Sequence, residues 1–190
     1  MNRILTAVLC MLGLAFTACA SKSGENTPTE NKENKTLVAY FSAQGHTKTA
    51  AEKVAAATGG TLFEIQPEQP YTDEDLDGWN DSARGTLESK DRTTRPAIAN
   101  KVENFEQYGT IYLGFPIWWY TAPTIINTFL ESYNTDGKLI IPFATSGGSQ
   151  FGETEKDLRV SAPNAVFKPG KVLNDMDEAQ VKAWTEEVVK

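Results

Sequence analysis

The chain has 190 residues, with 25 acidic against 18 basic side chains and a formal net charge of −7 at pH 7; a surface of that sign does not grip a phosphate backbone, so nucleic-acid binding is disfavoured. Its two cysteines, Cys10 and Cys19, both fall in the first twenty residues, which leaves everything downstream without disulfides, zinc–cysteine sites, iron–sulfur clusters or thiol catalysis.

The N-terminus sets a lone Arg3 before an apolar run over residues 4–16, too short to span a bilayer. Residues 1–18 therefore read as a secretory signal peptide. The run ends Leu14-Ala15-Phe16-Thr17-Ala18-Cys19, which resembles the lipobox of bacterial lipoproteins. That resemblance implies lipidation of Cys19 as the mature N-terminus and a place in the bacterial cell envelope, on the periplasmic or outer-membrane face. Residues 19–35 are polar, with nothing large and apolar, and form a flexible tether. The remaining stretch, 36–190, has the size of one ordinary domain and can bury a core of its own.

Residues 36–41, Thr-Leu-Val-Ala-Tyr-Phe, are a strand-length apolar run of the kind found in parallel strands covered on both faces. A helix follows from Thr47 to Thr58, with Ala50, Val54 and Ala57 on one face and Gly59 as its stop. Residues 61–66 alternate in part, as an edge strand does. Further central strands are expected over 110–115 and 138–144, the second with Pro142 awkwardly inside it near the carboxyl end. A helix starting at Pro123 lies between them, carrying Ile125, Ile126, Phe129 and Leu130 on its buried face. The other edge strand is either 165–167 or 171–173. A last helix runs from about Met176 to Val189 behind a cap at Asn174 or Asp175, with Val181, Trp184 and Val188 turned inward. This β-α alternation predicts a doubly wound α/β sheet, where ligands bind beyond the carboxyl ends of the strands.

Three loops lie at that edge. Ser42-Ala43-Gln44-Gly45-His46-Thr47 joins the first strand to the first helix, and its glycine, hydroxyls and helix N-terminus make a phosphate cradle. It lacks the Gly-Lys-Ser/Thr of a nucleoside-triphosphate loop and the spaced glycines of a dinucleotide fingerprint. His46 is the single histidine of the chain, and its position favours contact with a cofactor over general-base work, since no orienting carboxylate is visible. After the third strand comes Pro116-Ile117-Trp118-Trp119-Tyr120. Adjacent side chains of an extended segment point to opposite sides, so at least one of these aromatics is expected at the surface, where Trp118 or Trp119 can stack on a flat ring. After the fourth strand, Thr145-Ser146-Gly147-Gly148-Ser149-Gln150 offers main-chain groups to the polar edge of a heterocycle.

On these loops the chain, from about Leu37 to its end, resembles the flavodoxin-like family, and within it the branch of small NAD(P)H-linked flavin oxidoreductases and exported lipoproteins. Ser42, Gly45 and Thr47 match the family's phosphate loop, while Gln44 replaces a hydroxyl residue. The resemblance implies a five-stranded parallel sheet of order 2-1-3-4-5. It also implies flavin mononucleotide (FMN) held by its phosphate at Ser42, Gln44, Gly45, His46 and Thr47. Its isoalloxazine then lies between Pro116, Ile117, Trp118 and Trp119 on one side and Thr145, Ser146, Gly147 and Gly148 on the other. The expected activity is NAD(P)H-dependent reduction of a quinone or similar flat acceptor; the alternative is an electron carrier docking to a redox partner protein. No side chain is assigned a catalytic role, because the reduced flavin performs the transfer.

Two features remain. Asp73, Asp75, Asp77 and Gly78 imitate the start of an EF-hand loop, but Arg84 stands where the bidentate glutamate belongs, so no metal site is expected and the segment reads as a solvated acidic turn. Residues 67–99 form a long charged excursion after the second strand, and long excursions are often lids. Trp79 and its neighbours are expected to fold over the flavin and shape a substrate pocket.

Overall fold

The computed structural model describes residues 34–190; the expected signal peptide, Cys19 and the tether up to residue 33 lie outside the described residues. Strand β1 is Lys35–Tyr40, helix α1 His46–Thr58 and strand β2 Thr61–Glu64. Helix α2, Arg84–Lys90, belongs to the excursion, after which come β3 (Tyr108–Pro116), α3 (Thr124–Glu131), β4 (Leu139–Thr145) and α4 (Thr154–Arg159). Two very short strands, β5 (Val166–Phe167) and β6 (Lys171–Val172), precede the last helix α5, Glu178–Val188. All pairings are parallel and the order is β2-β1-β3-β4-β5, as the sequence implied.

Alternate residues of the central strands feed two apolar layers, as the period of two requires. On one face Leu37, Ile111, Leu113 and Ile140 pack with Ile125, Ile126 and Phe129 of α3. On the other, Val38, Tyr112, Ile141 and Phe143 pack with Val54 of α1 and Val181 and Trp184 of α5. Helix α1 ends at Gly59, whose φ of 67° is the left-handed stop that the sequence marked.

The far edge departs from expectation. Both candidate segments are strands: β5 pairs with Leu139 and Ile140, and β6 with Phe143 and Ala144. The gap between them explains Pro142. Ile140 and Ala144 turn their carbonyls toward this edge, accepting from Lys168 at 3.0 Å and Leu173 at 2.8 Å. Strand alternation aims the Pro142 nitrogen the same way, at the break, where no donor is required. Pairing toward β3 continues through Pro142 opposite Leu113 and on to Thr145, so on that side the ladder holds past the proline.

Helix boundaries shift slightly. Pro123 precedes α3 as its cap residue instead of opening its first turn. Helix α5 is capped by Asp177, not by Asn174 or Asp175. The Asp177 carboxylate accepts the Gln180 amide at 2.8 Å, and the Gln180 side chain accepts the Asp177 amide at 2.9 Å. This capping box is written in the sequence as Asp-x-x-Gln.

The 67–99 excursion is closed at its base by an antiparallel bridge between Pro67 and Ile98. In its acidic turn two carboxylates serve local backbone: Asp75 accepts from the Thr72 amide and Asp77 from the Trp79 amide, each at 3.0 Å. Arg84 stacks 4.0 Å over the Tyr71 ring and pairs with Glu88 at 2.7 Å. Among the described residues no helix is long and apolar enough to cross a membrane.

Candidate functional site

The loop from β1 into α1 turns on Gly45, whose φ of 87° and ψ of −20° lie in the left-handed region. Gly45 is the N-cap of α1, and no side chain caps the helix. The first-turn amides, carrying the positive end of the helix dipole, are thus left for an anion. Thr47 is buried, and its hydroxyl lies 2.8 Å from that of Thr145, joining the first loop to the end of β4. One of the two hydroxyls donates to the other, and the accepting one keeps a proton to give. The Ser42 hydroxyl is buried without a hydrogen-bond partner. Ser42, Gln44, His46 and Thr47 line a cleft of about 590 Å³ that also takes in Thr145 and Ser146. Lys53 reaches the same cleft, its Nζ donating to the Met176 carbonyl at 2.8 Å.

The aromatic loop is a tight hairpin. Trp118 and Thr121 exchange backbone hydrogen bonds of 2.9 and 3.1 Å, enclosing Trp119 at φ 48° and Tyr120 at φ 67°. Two consecutive residues with positive φ are the signature of a type I′ turn, normally filled by Asn and Gly. Placing Trp and Tyr there costs on the order of 1 kcal/mol or more per residue. The outcome is display: Trp119 is 45% exposed and Tyr120 73%. Trp118 instead is half-buried, set edge-on against Phe41 and Tyr71 with centroids 5.6 and 5.2 Å away. At least one aromatic is at the surface, as expected, but the reason differs: a turn and not strand alternation sets the adjacent Trp119 and Tyr120 both outward.

The third loop is pinned by a residue that sequence reasoning used differently. Asn174, expected near the cap of α5, accepts the Ser146 amide at 2.8 Å and donates back to the Ser146 carbonyl. A Cβ added at Gly147 would meet no protein atom within 4 Å, so the space in front of it is cleft. Gly147, Ile117 and Trp118 line both the first cleft and a second one of about 770 Å³. Trp119, Gly148, Trp79 and Thr86 belong to the second, and Pro116 to the first. Of the residues proposed from sequence only Gly45 lines neither cleft, and it acts through the turn it makes. The excursion supplies Trp79, which is 99% exposed at the mouth of the second cleft, and Thr86, which the sequence reading overlooked. Tyr71 donates to Glu88 at 2.5 Å behind Trp118; burial first, then this bond to a carboxylate, pushes its phenol well up and keeps it protonated.

A family model described as flavodoxin matches residues 35–188. The chain belongs to the flavodoxin family. Among solved structures, a Bacteroides eggerthii protein assigned as a flavoprotein is 47% identical with a TM-score of 0.78, covering 82% of this chain and 98% of its own. Its counterpart from Bacteroides uniformis is also 47% identical with a TM-score of 0.78, covering 81% and 99%. A Lactobacillus acidophilus flavoprotein solved in complex with FMN shares the fold at 24% identity and TM-score 0.62, covering 80% and 99%. No curated protein matches the chain.

The flavodoxin family's cofactor is FMN, and the residues present fit it. An uncapped helix N-terminus, a left-handed glycine and the orphaned Ser42 hydroxyl suit a phosphate monoester. Trp118 and the open front of Gly147 suit a flat tricyclic ring.

Proposed function

We propose that this flavodoxin-family protein uses FMN to carry reducing equivalents from NAD(P)H to a small flat acceptor such as a quinone. When bound, the flavin supplies reversible two-electron chemistry; the chain supplies the phosphate cradle, the ring wall and a place for the acceptor. The observation that carries this reading is the second cleft, which shares Ile117, Trp118 and Gly147 with the first and extends past the residues expected to flank the ring, Trp119 and Gly148 among them, to Trp79, Thr86 and Tyr120. A protein that only passes electrons to a docked partner has no need of an acceptor cleft beside its cofactor. The carrier reading draws its support from the net charge of −7, which suits a basic partner.

Titrating the mature domain with FMN should give a yellow complex with quenched tryptophan fluorescence. Steady-state turnover with NADPH and 1,4-naphthoquinone should follow. Electron exchange with a small redox protein but no quinone turnover would leave the carrier reading standing, and absence of FMN binding would remove both.

The lipobox resemblance supports a further part of the proposal, in which Cys19 is lipidated and holds the domain at the cell envelope. Metabolic labelling with a radioactive fatty acid should mark the wild-type protein and not Cys19→Ser.

A further inference from the structure

Thr86 stands out among the polar side chains of the excursion. It is 2% exposed, and its hydroxyl has no hydrogen-bond partner. Hydroxyls inside helices usually return a bond to the carbonyl four residues back. Others here do so: Ser89 of the same helix donates to Gly85 at 2.8 Å, and Thr58 of α1 to Val54 at 2.8 Å. Thr86 stands in the first turn of α2, where the carbonyl four residues back is that of Ser82, outside the helix, and it lines the second cleft. A buried hydroxyl without a partner is costly, and such groups in a native fold mark sites where something else completes the bond.

The helix is pressed toward that cleft on purpose-fitted contacts. The Gly85 amide donates to the Asp75 carbonyl at 2.9 Å, and a Cβ at Gly85 would stand 2.9 Å from that oxygen and 3.7 Å from the Trp118 ring. Only glycine lets α2 lie this close to the Asp75 carbonyl, with the Trp118 ring in ordinary contact distance beside it and Thr86 at the cleft wall. The surrounding walls are aromatic, from Trp79, Trp118, Trp119 and Tyr120. The described residues lining the cleft include the carboxylate Asp75 and no lysine, arginine or histidine. An anion entering the cleft would meet the Asp75 carboxylate and gain no counter-charge from its lining.

We propose that the Thr86 hydroxyl is the polar contact that orients a neutral, planar, carbonyl-bearing ligand in the second cleft, and that the cleft discriminates against anionic analogues. The inference rests on the acceptor reading given above. It narrows the acceptor to uncharged ring carbonyls and sets the diphosphate of a nicotinamide dinucleotide outside this cleft.

The test uses FMN-loaded, oxidised protein without electron donor, so that binding is measured apart from turnover. Calorimetric dissociation constants are compared for 1,4-naphthoquinone and its 2-sulfonate on wild type, Thr86→Val and Thr86→Ser. Wild type should hold the neutral quinone at least about tenfold more tightly than the sulfonate, and Thr86→Val should weaken the neutral quinone about tenfold. Thr86→Ser should restore most of that affinity, and FMN affinity should be the same in all three proteins. Equal quinone affinity in wild type and Thr86→Val overturns the role of Thr86 while leaving the acceptor reading intact. Equal binding of the sulfonate overturns the charge discrimination. A loss of FMN affinity in Thr86→Val that matches the loss of quinone affinity assigns the hydroxyl to the cofactor and overturns the proposal. Wild type that holds FMN but binds neither quinone overturns the acceptor reading itself.

Discussion

The Thr121 hydroxyl donates a 2.6 Å hydrogen bond to Asp157, so α4 holds the residue that closes the strained Trp119-Tyr120 turn. Asp157 also lies 4.0 Å from the Arg92 guanidinium, which donates to the Ala122 carbonyl at 2.9 Å. Burial holds the Arg92 pKa below the usual arginine value, partly offset by Asp157. The end of the excursion, the aromatic hairpin and α4 are thereby tied at one carboxylate. Asp157→Ala should lower unfolding stability by about 1–3 kcal/mol, because it orphans a buried hydroxyl and takes the counter-charge from a half-buried cation. Urea denaturation of the apo domain measures this, and a loss within about 0.3 kcal/mol, inside the scatter of a surface substitution, would mean that the turn stands without the tie.

Tyr120 occupies a backbone conformation that glycine adopts freely, and most of its ring is in water. Relief of left-handed strain should therefore outweigh lost burial. Tyr120→Gly is expected to raise apo stability by about 0.5–1 kcal/mol. The same change removes a wall of the second cleft and should raise the KM for a quinone with little effect on FMN affinity. A destabilised Tyr120→Gly protein would show that the ring is held by contacts that outweigh the strain.

Ser42 offers the opposite diagnostic. Its hydroxyl is buried and unpaired, so Ser42→Ala removes nothing that the apo fold uses. Apo stability should be unchanged or slightly higher, while FMN affinity falls about 10- to 100-fold, the worth of a hydrogen bond to a charged phosphate. Fluorescence titration with FMN and with riboflavin separates the effects, since the loss should vanish for riboflavin, which lacks the phosphate.

Much of this was legible in the sequence because short-range chemistry wrote it. The unbroken run Leu37-Val38-Ala39 meant a strand covered on both faces, and Gly45 between Ser42 and Thr47 meant an anion turn at a helix start. What escaped depends on tertiary contact. Asn174 looks like a cap in the one-dimensional pattern, and only the approach of β6 to β4 sets it opposite Ser146. Thr86 sits in a short polar helix that no periodicity marks, and its burial depends on the tertiary placement of α2, whose Gly85 lies against the Asp75 carbonyl and beside Trp118. Pro142 looks awkward inside an expected central strand because the break between β5 and β6, which the proline faces, cannot be read from either segment alone.

The Glu131 carboxylate links α3 to the end of the excursion, receiving two hydrogen bonds from Arg95, at 2.7 and 2.8 Å, and one from Ser161 at 2.6 Å. The Arg95 hydrogen bond, aided by Ser161, holds its pKa below the ordinary 4.5. A carboxylate depressed in the folded state contributes stability that is complete above its unfolded pKa and is lost as pH falls through the folded value. The contribution should therefore be full at neutral pH and fade below about pH 4.5. With both side chains of the pair partly in solvent, the effect should stay at or below about 1 kcal/mol and shrink in high salt. Glu131→Gln should accordingly be less stable than wild type at pH 7, the gap narrowing as pH falls through the depressed folded pKa and the wild-type side chain becomes neutral. Denaturation midpoints followed from neutral to acid pH would show this narrowing; a gap that stays constant would assign the effect of the substitution to packing and not to charge.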